Sequence, residues 1–123
     1  LLHLDLTGNN FFDPVPPSFS TFPNLRTLSL VFNLLNNVVL PYLFNITTLK
    51  MLNLSFNHFL ASLIPHSLGN LTNLETLRLS DCNLMGPIPN SLGNPINLPI
   101  LDFSFNNLYD SIPSSLTYLT AFA

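Results

Sequence analysis

The sequence predicts an α/β repeat solenoid, with a parallel β-sheet on its concave face and irregular, 3-10 or short helical segments on its convex side. The first sign is a leucine pattern, L-x-x-L-x-L, that recurs every 24 residues, with one step of 25. Its copies begin at Leu1, Leu25, Leu49, Leu74 and Leu98. A period of this length is typical of repeat units that bury their apolar face only by stacking.

The second sign is one polar residue that follows each leucine pattern at the same offset. These residues are Asn9, Asn33, Asn57, Cys82 and Asn106. Where a strand ends, backbone N–H and C=O groups lose their strand partners, and buried polar groups need new ones. Stacked asparagine amides can supply both donors and an acceptor. We therefore expect these residues to form an internal ladder, with Cys82 as a small buried substitute rather than a reactive thiol.

Each leucine pattern reads as one short strand. Leu28 and Leu30 should point to one side, and Thr27, Ser29 and Val31 to the other. Because one such strand cannot bury its leucines alone, neighbouring units should stack as a continuous parallel sheet.

The second half of each unit must return the chain to the next strand. Pro16, Pro65, Pro89 and Pro113 favour extended or turn backbone there over a long helix. The second unit is looser, since Leu40 stands where the others carry proline. The residues expected to fill the outer side of the core are Phe19, Leu43, Leu68, Leu92 and Leu116.

Composition argues against several classes of protein. Charged residues make up 7 % and the net charge is -3, so no basic face for nucleic acid is expected. A membrane-spanning helix needs about 20 consecutive apolar residues. The sequence contains no such run, so no membrane span is expected. His3, His58 and His66 show no metal-ligand spacing, and no nucleophile elbow or phosphate loop occurs. We expect no enzyme activity, no cofactor and no metal in this chain.

Three glycosylation sequons begin at Asn45, Asn53 and Asn70. They suggest a secreted glycoprotein, although a chain this rich in Asn, Ser and Thr gives about three by chance. Asn45 and Asn70 fall in equivalent slots of adjacent units, where an outward side chain is expected. Asn53 falls on the strand face, where a glycan would obstruct binding.

The pattern L-x-x-L-x-L-x-x-N/C-x-L is that of a leucine-rich repeat, here with the I-P and L-G-N extensions of the plant type. Residues 47–94, "TTLKMLNLSFNHFLASLIPHSLGNLTNLETLRLSDCNLMGPIPNSLGN", resemble the ectodomain of plant leucine-rich-repeat receptor kinases, most closely the HAESA and HAESA-like branch. Two irregularities carry the closer match. One unit is a residue longer before Ile64-Pro65, and the next has Cys82 in the asparagine slot.

The resemblance implies a receptor segment on the extracellular side of the plasma membrane, reached through the secretory pathway. Such receptors bind a short secreted, often hydroxyproline-containing peptide and then recruit a co-receptor kinase ectodomain. The signalling kinase, the end caps and the membrane helix would lie outside residues 1–123. The chain is therefore expected to be an uncapped part of a longer ectodomain, with about five units and a sixth beginning at Phe122.

A peptide would lie along the inner face, where the outward-pointing strand residues and the residue next to each ladder position are exposed. The residues predicted to contact it are Ser29, Val31, Phe32, Met51, Ser55, Phe56, Thr76, Arg78, Ser80, Asp81, Asp102, Ser104 and Phe105. The aromatic members are enriched in binding hot spots generally, but a stacking ladder that covers the sheet edge would explain them equally well.

Two other functions use the same repeat. A soluble defence module, similar to the polygalacturonase inhibitors, would bind a microbial enzyme through a charged or polar concave face. An ice-binding solenoid would need a flat, regular array of Asn or Thr. The mixed row Thr7, Val31, Ser55, Ser80 and Ser104 argues against ice binding.

Overall fold

The computed structural model describes residues 1–38, 41–95 and 98–119, and each unit places one strand on its leucine pattern. These strands are β1 (His3–Asp5), β2 (Thr27–Ser29), β3 (Met51–Asn53), β5 (Thr76–Arg78) and β7 (Ile100–Asp102). They form one parallel sheet in the order β1-β2-β3-β5-β7. The predicted concave sheet is thereby confirmed.

The register of this sheet aligns equivalent residues of successive units. Leu28 lies opposite Leu52, and Leu52 lies opposite Leu77. All three side chains are completely buried. The longer third unit keeps this register, because its extra residue is accommodated after the strand. Alternation along each strand thus stacks the leucines into one core.

In the described ranges, the return segments form five 3-10 helices. They are η1 (Pro17–Thr21), η2 (Pro41–Asn45), η3 (His66–Asn70), η4 (Asn90–Gly93) and η5 (Ser114–Tyr118). Pro65, Pro89 and Pro113 directly precede the last three, with φ between -61° and -70°. Proline fixes this φ and has no N–H to leave unpaired at a helix start. In the part of the chain described here, no helix has the length and apolar character needed to cross a membrane.

The core continues beneath the 3-10 helices. Leu43, Leu68 and Leu92 are completely buried, as predicted, while Phe19 and Leu116 in the outer units are partly buried. At η3, a Cβ on Gly69 would lie 2.6 Å from the Ser91 carbonyl oxygen, so the close packing of η3 on η4 requires glycine. The expectations at Leu40 and Phe122 lie outside the described residues.

A second, smaller parallel sheet was not predicted from the sequence. Its strands are β4 (Ser62–Leu63), β6 (Leu84–Gly86) and β8 (Asn107–Leu108), in that spatial order. Gly86 has a φ of +82°, and a Cβ there would collide with Leu63 Cδ2. Glycine is therefore needed both for the backbone conformation and for the space. This sheet lies between the concave sheet and the 3-10 helices in chain order.

The asparagines that follow the strands join each unit to the preceding one. Asn57 Nδ2 donates to the carbonyl oxygen of Leu54 in its own unit and to that of Leu30 in the preceding unit, both at 2.9 Å. Its Oδ1 accepts the N–H of Leu35 at 3.1 Å. Asn33 repeats this geometry with Leu30, Leu6 and Phe11. Each amide therefore bridges two units through hydrogen bonds to both.

Asn57→Ala should lower the free energy of unfolding by about 2 to 4 kcal/mol, because it leaves buried backbone groups without partners. Urea unfolding followed by circular dichroism measures this. Asn36→Ala changes an exposed asparagine nearby and should cost less than about 0.5 kcal/mol. Equal losses for the two variants would contradict the structural role of the ladder.

Candidate functional site

The concave sheet presents three rows of side chains to the inner face. The first row starts the strands and contains His3, Thr27, Met51, Thr76 and Ile100. The second ends the strands and contains Asp5, Ser29, Asn53, Arg78 and Asp102. The third lies two residues further and contains Thr7, Val31, Ser55, Ser80 and Ser104. The predicted inner-face residues of β2, β3, β5 and β7 therefore share one surface.

Four of the residues predicted to contact a ligand have buried side chains. Ser29, Val31, Ser55 and Ser80 are at most 9 % exposed. Ser80 Oγ lies 2.8 Å from Ser104 Oγ, and the Ser80 N–H donates to Ser55 Oγ at 3.0 Å. Short hydroxyls at strand spacing bond along the row and are covered by their neighbours. These residues form the floor of the face, which corrects the expectation that their side chains protrude.

The charged side chains of the inner face come from β1, β5 and β7. Asp102 Oδ1 accepts hydrogen bonds from the Ser104 hydroxyl at 2.6 Å and the Ser104 N–H at 2.9 Å. These bonds, with a smaller contribution from the charge of Arg78, lower the pKa of Asp102. Hydrogen bonds from Thr7 lower the pKa of Asp5 in the same way. Both carboxylates are therefore held ionised on the surface.

One residue in each unit, directly before the ladder position, has a left-handed backbone. We call these residues the edge row: Gly8, Phe32, Phe56, Asp81 and Phe105, with φ between 50° and 73°. The amides of the first four continue the sheet bonding, as in Phe56 N–H to Ser80 O at 2.9 Å and Asp81 N–H to Ser104 O at 3.0 Å. Glycine, asparagine and aspartate adopt this conformation readily, whereas a bulky residue is an outlier. Sequence reasoning located this row but missed its backbone conformation.

Phenylalanine occupies three of the five edge-row positions at a conformational cost of roughly 1 to 2 kcal/mol each. The rings of Phe32 and Phe56 stack with centroids 4.6 Å apart and planes 11° from parallel. Phe32 is 56 % exposed and Phe105 is 79 % exposed. Stacking offsets part of the cost at the first two positions. In the described part of the chain, Phe105 has no such stacking partner.

Two concavities adjoin these elements. One, of about 380 Å³, opens beside the edge row. It is lined by Asn9, Asn10, Phe32, Asn33, Leu34, Phe56, Asn57, His58 and Asp81. The other, of about 360 Å³, is mainly apolar and lies under residues 10–16, with Leu30 and Leu35 behind it. Only the first is lined by edge-row side chains, namely Phe32, Phe56 and Asp81.

Cys82 is not suited to nucleophilic chemistry. Its side chain is completely buried, with Sγ 3.3 Å from the Leu54 carbonyl oxygen. Burial, and secondly the neighbouring charge of Asp81, raise the pKa of the thiol to about 12. In residues 1–38, 41–95 and 98–119, no group of three or more His, Cys, Asp or Glu side chains could hold a metal ion.

The sequon asparagines occupy two different surfaces. Asn45 ends η2 and Asn70 ends η3, and both are exposed. In each, the carbonyl oxygen accepts the N–H of the sequon threonine, at 2.9 Å for Thr47 and 3.0 Å for Thr72. Asn53 instead lies in β3 and accepts the Ser55 N–H at 3.1 Å. A glycan at Asn45 or Asn70 would leave the inner face open, and one at Asn53 would cover it.

Comparison with known proteins matches both the pattern and the fold. A family model described as Leucine Rich Repeat matches residues 1–22, 48–71, 73–95 and 97–119. The solved structure of the Arabidopsis receptor kinase HAESA, in complex with the peptide hormone IDA and the co-receptor SERK1, is 48 % identical with a TM-score of 0.92. The match covers 94 % of this chain and 20 % of that chain.

Other relatives show how widely the fold is shared. Receptor-like protein 1 of Arabidopsis thaliana is 36 % identical over 64 residues, which are 52 % of this chain and 6 % of that protein. The crystal structure of a plant ice-binding protein is 30 % identical with a TM-score of 0.86, covering 94 % of this chain and 37 % of that one. The chain spans a fifth or less of the two receptor proteins.

The Cys82 thiol should react with a thiol-specific reagent roughly a thousandfold more slowly in the folded than in the unfolded chain at pH 8, because so little thiolate is present. Absorbance with a disulfide reagent measures the rate. The unfolded chain loses this proton first, so the free energy of unfolding should fall as pH rises from about 9 towards 12. Cys82→Ala removes that contribution. Rapid labelling of the folded chain would contradict the buried assignment.

Phe105→Asn should leave the free energy of unfolding within about 1 kcal/mol of the original, since asparagine tolerates the left-handed backbone and the ring is exposed. Phe59→Ala, which empties a buried position, should cost about 3 to 5 kcal/mol. Urea unfolding compares the two. A large loss for Phe105→Asn would show that the edge row serves stability instead of recognition.

Proposed function

Because the chain belongs to the leucine-rich repeat family, we propose that it is a ligand-recognition segment of a plant receptor ectodomain and that it binds a secreted peptide on its inner face. The observation that carries this proposal is the edge row, where Phe32, Phe56 and Phe105 keep a left-handed backbone and their rings reach solvent. Strain at exposed positions that do not fill the core points to recognition.

The inner face has the form that an extended peptide needs. Five parallel strands at about 4.8 Å spacing span roughly 20 to 25 Å. An extended chain covers about 3.3 Å per residue, so the face can hold about seven residues. Met51, Thr76 and Ile100 are accessible along one margin, and the edge row is accessible along the other. Arg78 stands between them and can bind a carboxylate with two hydrogen bonds.

HAESA, which is similar over 94 % of this chain, is solved with a peptide hormone and a co-receptor. This supports a peptide ligand and a co-receptor ectodomain as partners here, and we propose that the peptide is of the hydroxyproline type. We place the segment on the extracellular side of the plasma membrane, in the apoplast, with the sequons at Asn45 and Asn70 available to glycans. A kinase and a membrane span belong to the rest of such a receptor, of which the five units beginning at 1, 25, 49, 74 and 98 form one part.

The two alternative functions find less support in the inner face. An ice-binding protein shares the fold, but the third row here has buried serines and Val31 instead of a regular exposed array. A defence module that binds a microbial enzyme would use a strongly charged or polar face. Here aromatic rings occupy most of the edge row. A peptide with apolar and proline-like side chains fits that surface better.

Synthetic hydroxyproline peptides of about seven to fourteen residues should bind this chain saturably in calorimetric titrations. Replacing Phe32 and Phe56 together by alanine should weaken binding at least about tenfold, since aromatic hot spots each contribute more than about 1 kcal/mol.

The matched control is Leu63→Ala, which removes from the second sheet an apolar side chain about as exposed as Phe32. It should leave the affinity unchanged. A folded chain that binds none of the peptides, or a double variant that binds as well as the original, would overturn the proposal.

A further inference from the structure

Asp81 interrupts the aromatic edge row with a carboxylate. In the edge row, its neighbours are Phe56 of the preceding unit and Phe105 of the following unit, so phenylalanine flanks it on both sides. The amides of Phe56 and Asp81 are hydrogen-bonded to the next strand in the same way, at 2.9 and 3.0 Å. Phe56 and Asp81 are therefore attached to equivalent, fixed backbone positions.

The stack of Phe32 on Phe56 shows how the Phe56 ring is oriented. Their centroids are separated by 4.6 Å, close to the strand spacing, and their planes are nearly parallel. Phe32 therefore covers one face of the Phe56 ring, and the opposite face is directed toward the next unit, which carries Asp81. Phe32, Phe56 and Asp81 all line the same concavity of about 380 Å³. An aromatic face and a carboxylate thus border one open space.

Among the residues that the structure describes, no cation forms an ion pair with Asp81. In the described part of the chain, the one ion pair within 4.0 Å joins Lys50 and Glu75, away from the edge row. The charge of Arg78 acts on Asp102. His58 lines the same concavity, but it is exposed and forms no ion pair with Asp81. The carboxylate of Asp81 is exposed and available to a ligand.

We propose that Asp81 and Phe56 form a subsite for a cationic side chain, above all an arginine guanidinium, of the bound ligand. The guanidinium stacks on the free face of Phe56 and donates two parallel hydrogen bonds to Asp81. Arginine suits this place better than lysine, because its planar group can stack and bond in one orientation. The subsite rests on the proposed peptide-binding role and adds a charge requirement to it.

The test uses Nα-acetyl-arginine amide, with Nα-acetyl-citrulline amide as a matched neutral probe. Each probe is titrated into the full chain, and NMR of the backbone amides follows its binding. The arginine probe should shift the signals of Asp81 and Phe56. The citrulline probe has the same shape without the charge, and it should bind at least about tenfold more weakly. This comparison needs no variant and is independent of how any substitution folds.

Asp81→Asn keeps a residue that tolerates the left-handed backbone and should reduce arginine binding at least about tenfold. Phe56→Leu should reduce it about two- to fivefold. Asp110→Asn is the control, because Asp110 is an exposed carboxylate with a φ of 74° after β8, outside the edge row. It should leave binding unchanged.

Equal binding of citrulline, unchanged binding by Asp81→Asn, or signal shifts centred on Asp5 or Asp102 would each overturn the subsite. Its failure is distinguishable from failure of the peptide proposal. If hydroxyproline peptides bind through Phe32 and Phe56 while the arginine probe does not bind at Asp81, the subsite is wrong and the peptide proposal is retained. If the arginine probe binds at Asp81 and no peptide binds, the subsite stands and the peptide role falls.

Discussion

The fold depends on hydrogen bonds between the asparagine amides inside the solenoid and the backbone just beyond each strand. A parallel strand of three residues ends with several N–H and C=O groups still unpaired, in a region that water does not reach. Asn33, Asn57 and Asn106 each satisfy groups in their own unit and in the one before. The leucine core provides the free energy of burial, but these amides fix the angle and register at which successive units stack.

The ladder also determines the shape of the inner face. A side chain can reach inward directly after a strand only if the preceding residue turns sharply, and that residue takes the left-handed conformation. Its own side chain is then directed to the margin of the concave sheet. The edge row is thus a geometric consequence of burying the asparagines. Because its backbone is bonded to the next unit, a ligand that binds there meets groups that are already ordered, which lowers the entropic cost of binding.

Much of this could be predicted from the sequence, because leucine periodicity and the asparagine slot follow directly from burial and backbone satisfaction. The concave sheet, the 3-10 return segments and the outer core residues were found at the expected positions. The second sheet was not predicted, since β4 and β8 have only two residues each, too few for alternation to show. Residue type also does not show that the side chains of Ser29, Ser55 and Ser80 are buried, because their burial depends on how closely the side chains of neighbouring units approach.

The edge row has a consequence for how related proteins can diverge. Its five positions share one backbone conformation, and the first four are held by main-chain bonds to the next unit, so a substitution there leaves the stacking of the units intact. The only conformational cost of such a substitution is that of placing the new residue in the left-handed backbone, and this cost is lowest for glycine, asparagine and aspartate. Selection can therefore change the ligand chemistry one rung at a time, while the leucines and asparagines that maintain the solenoid stay as they are.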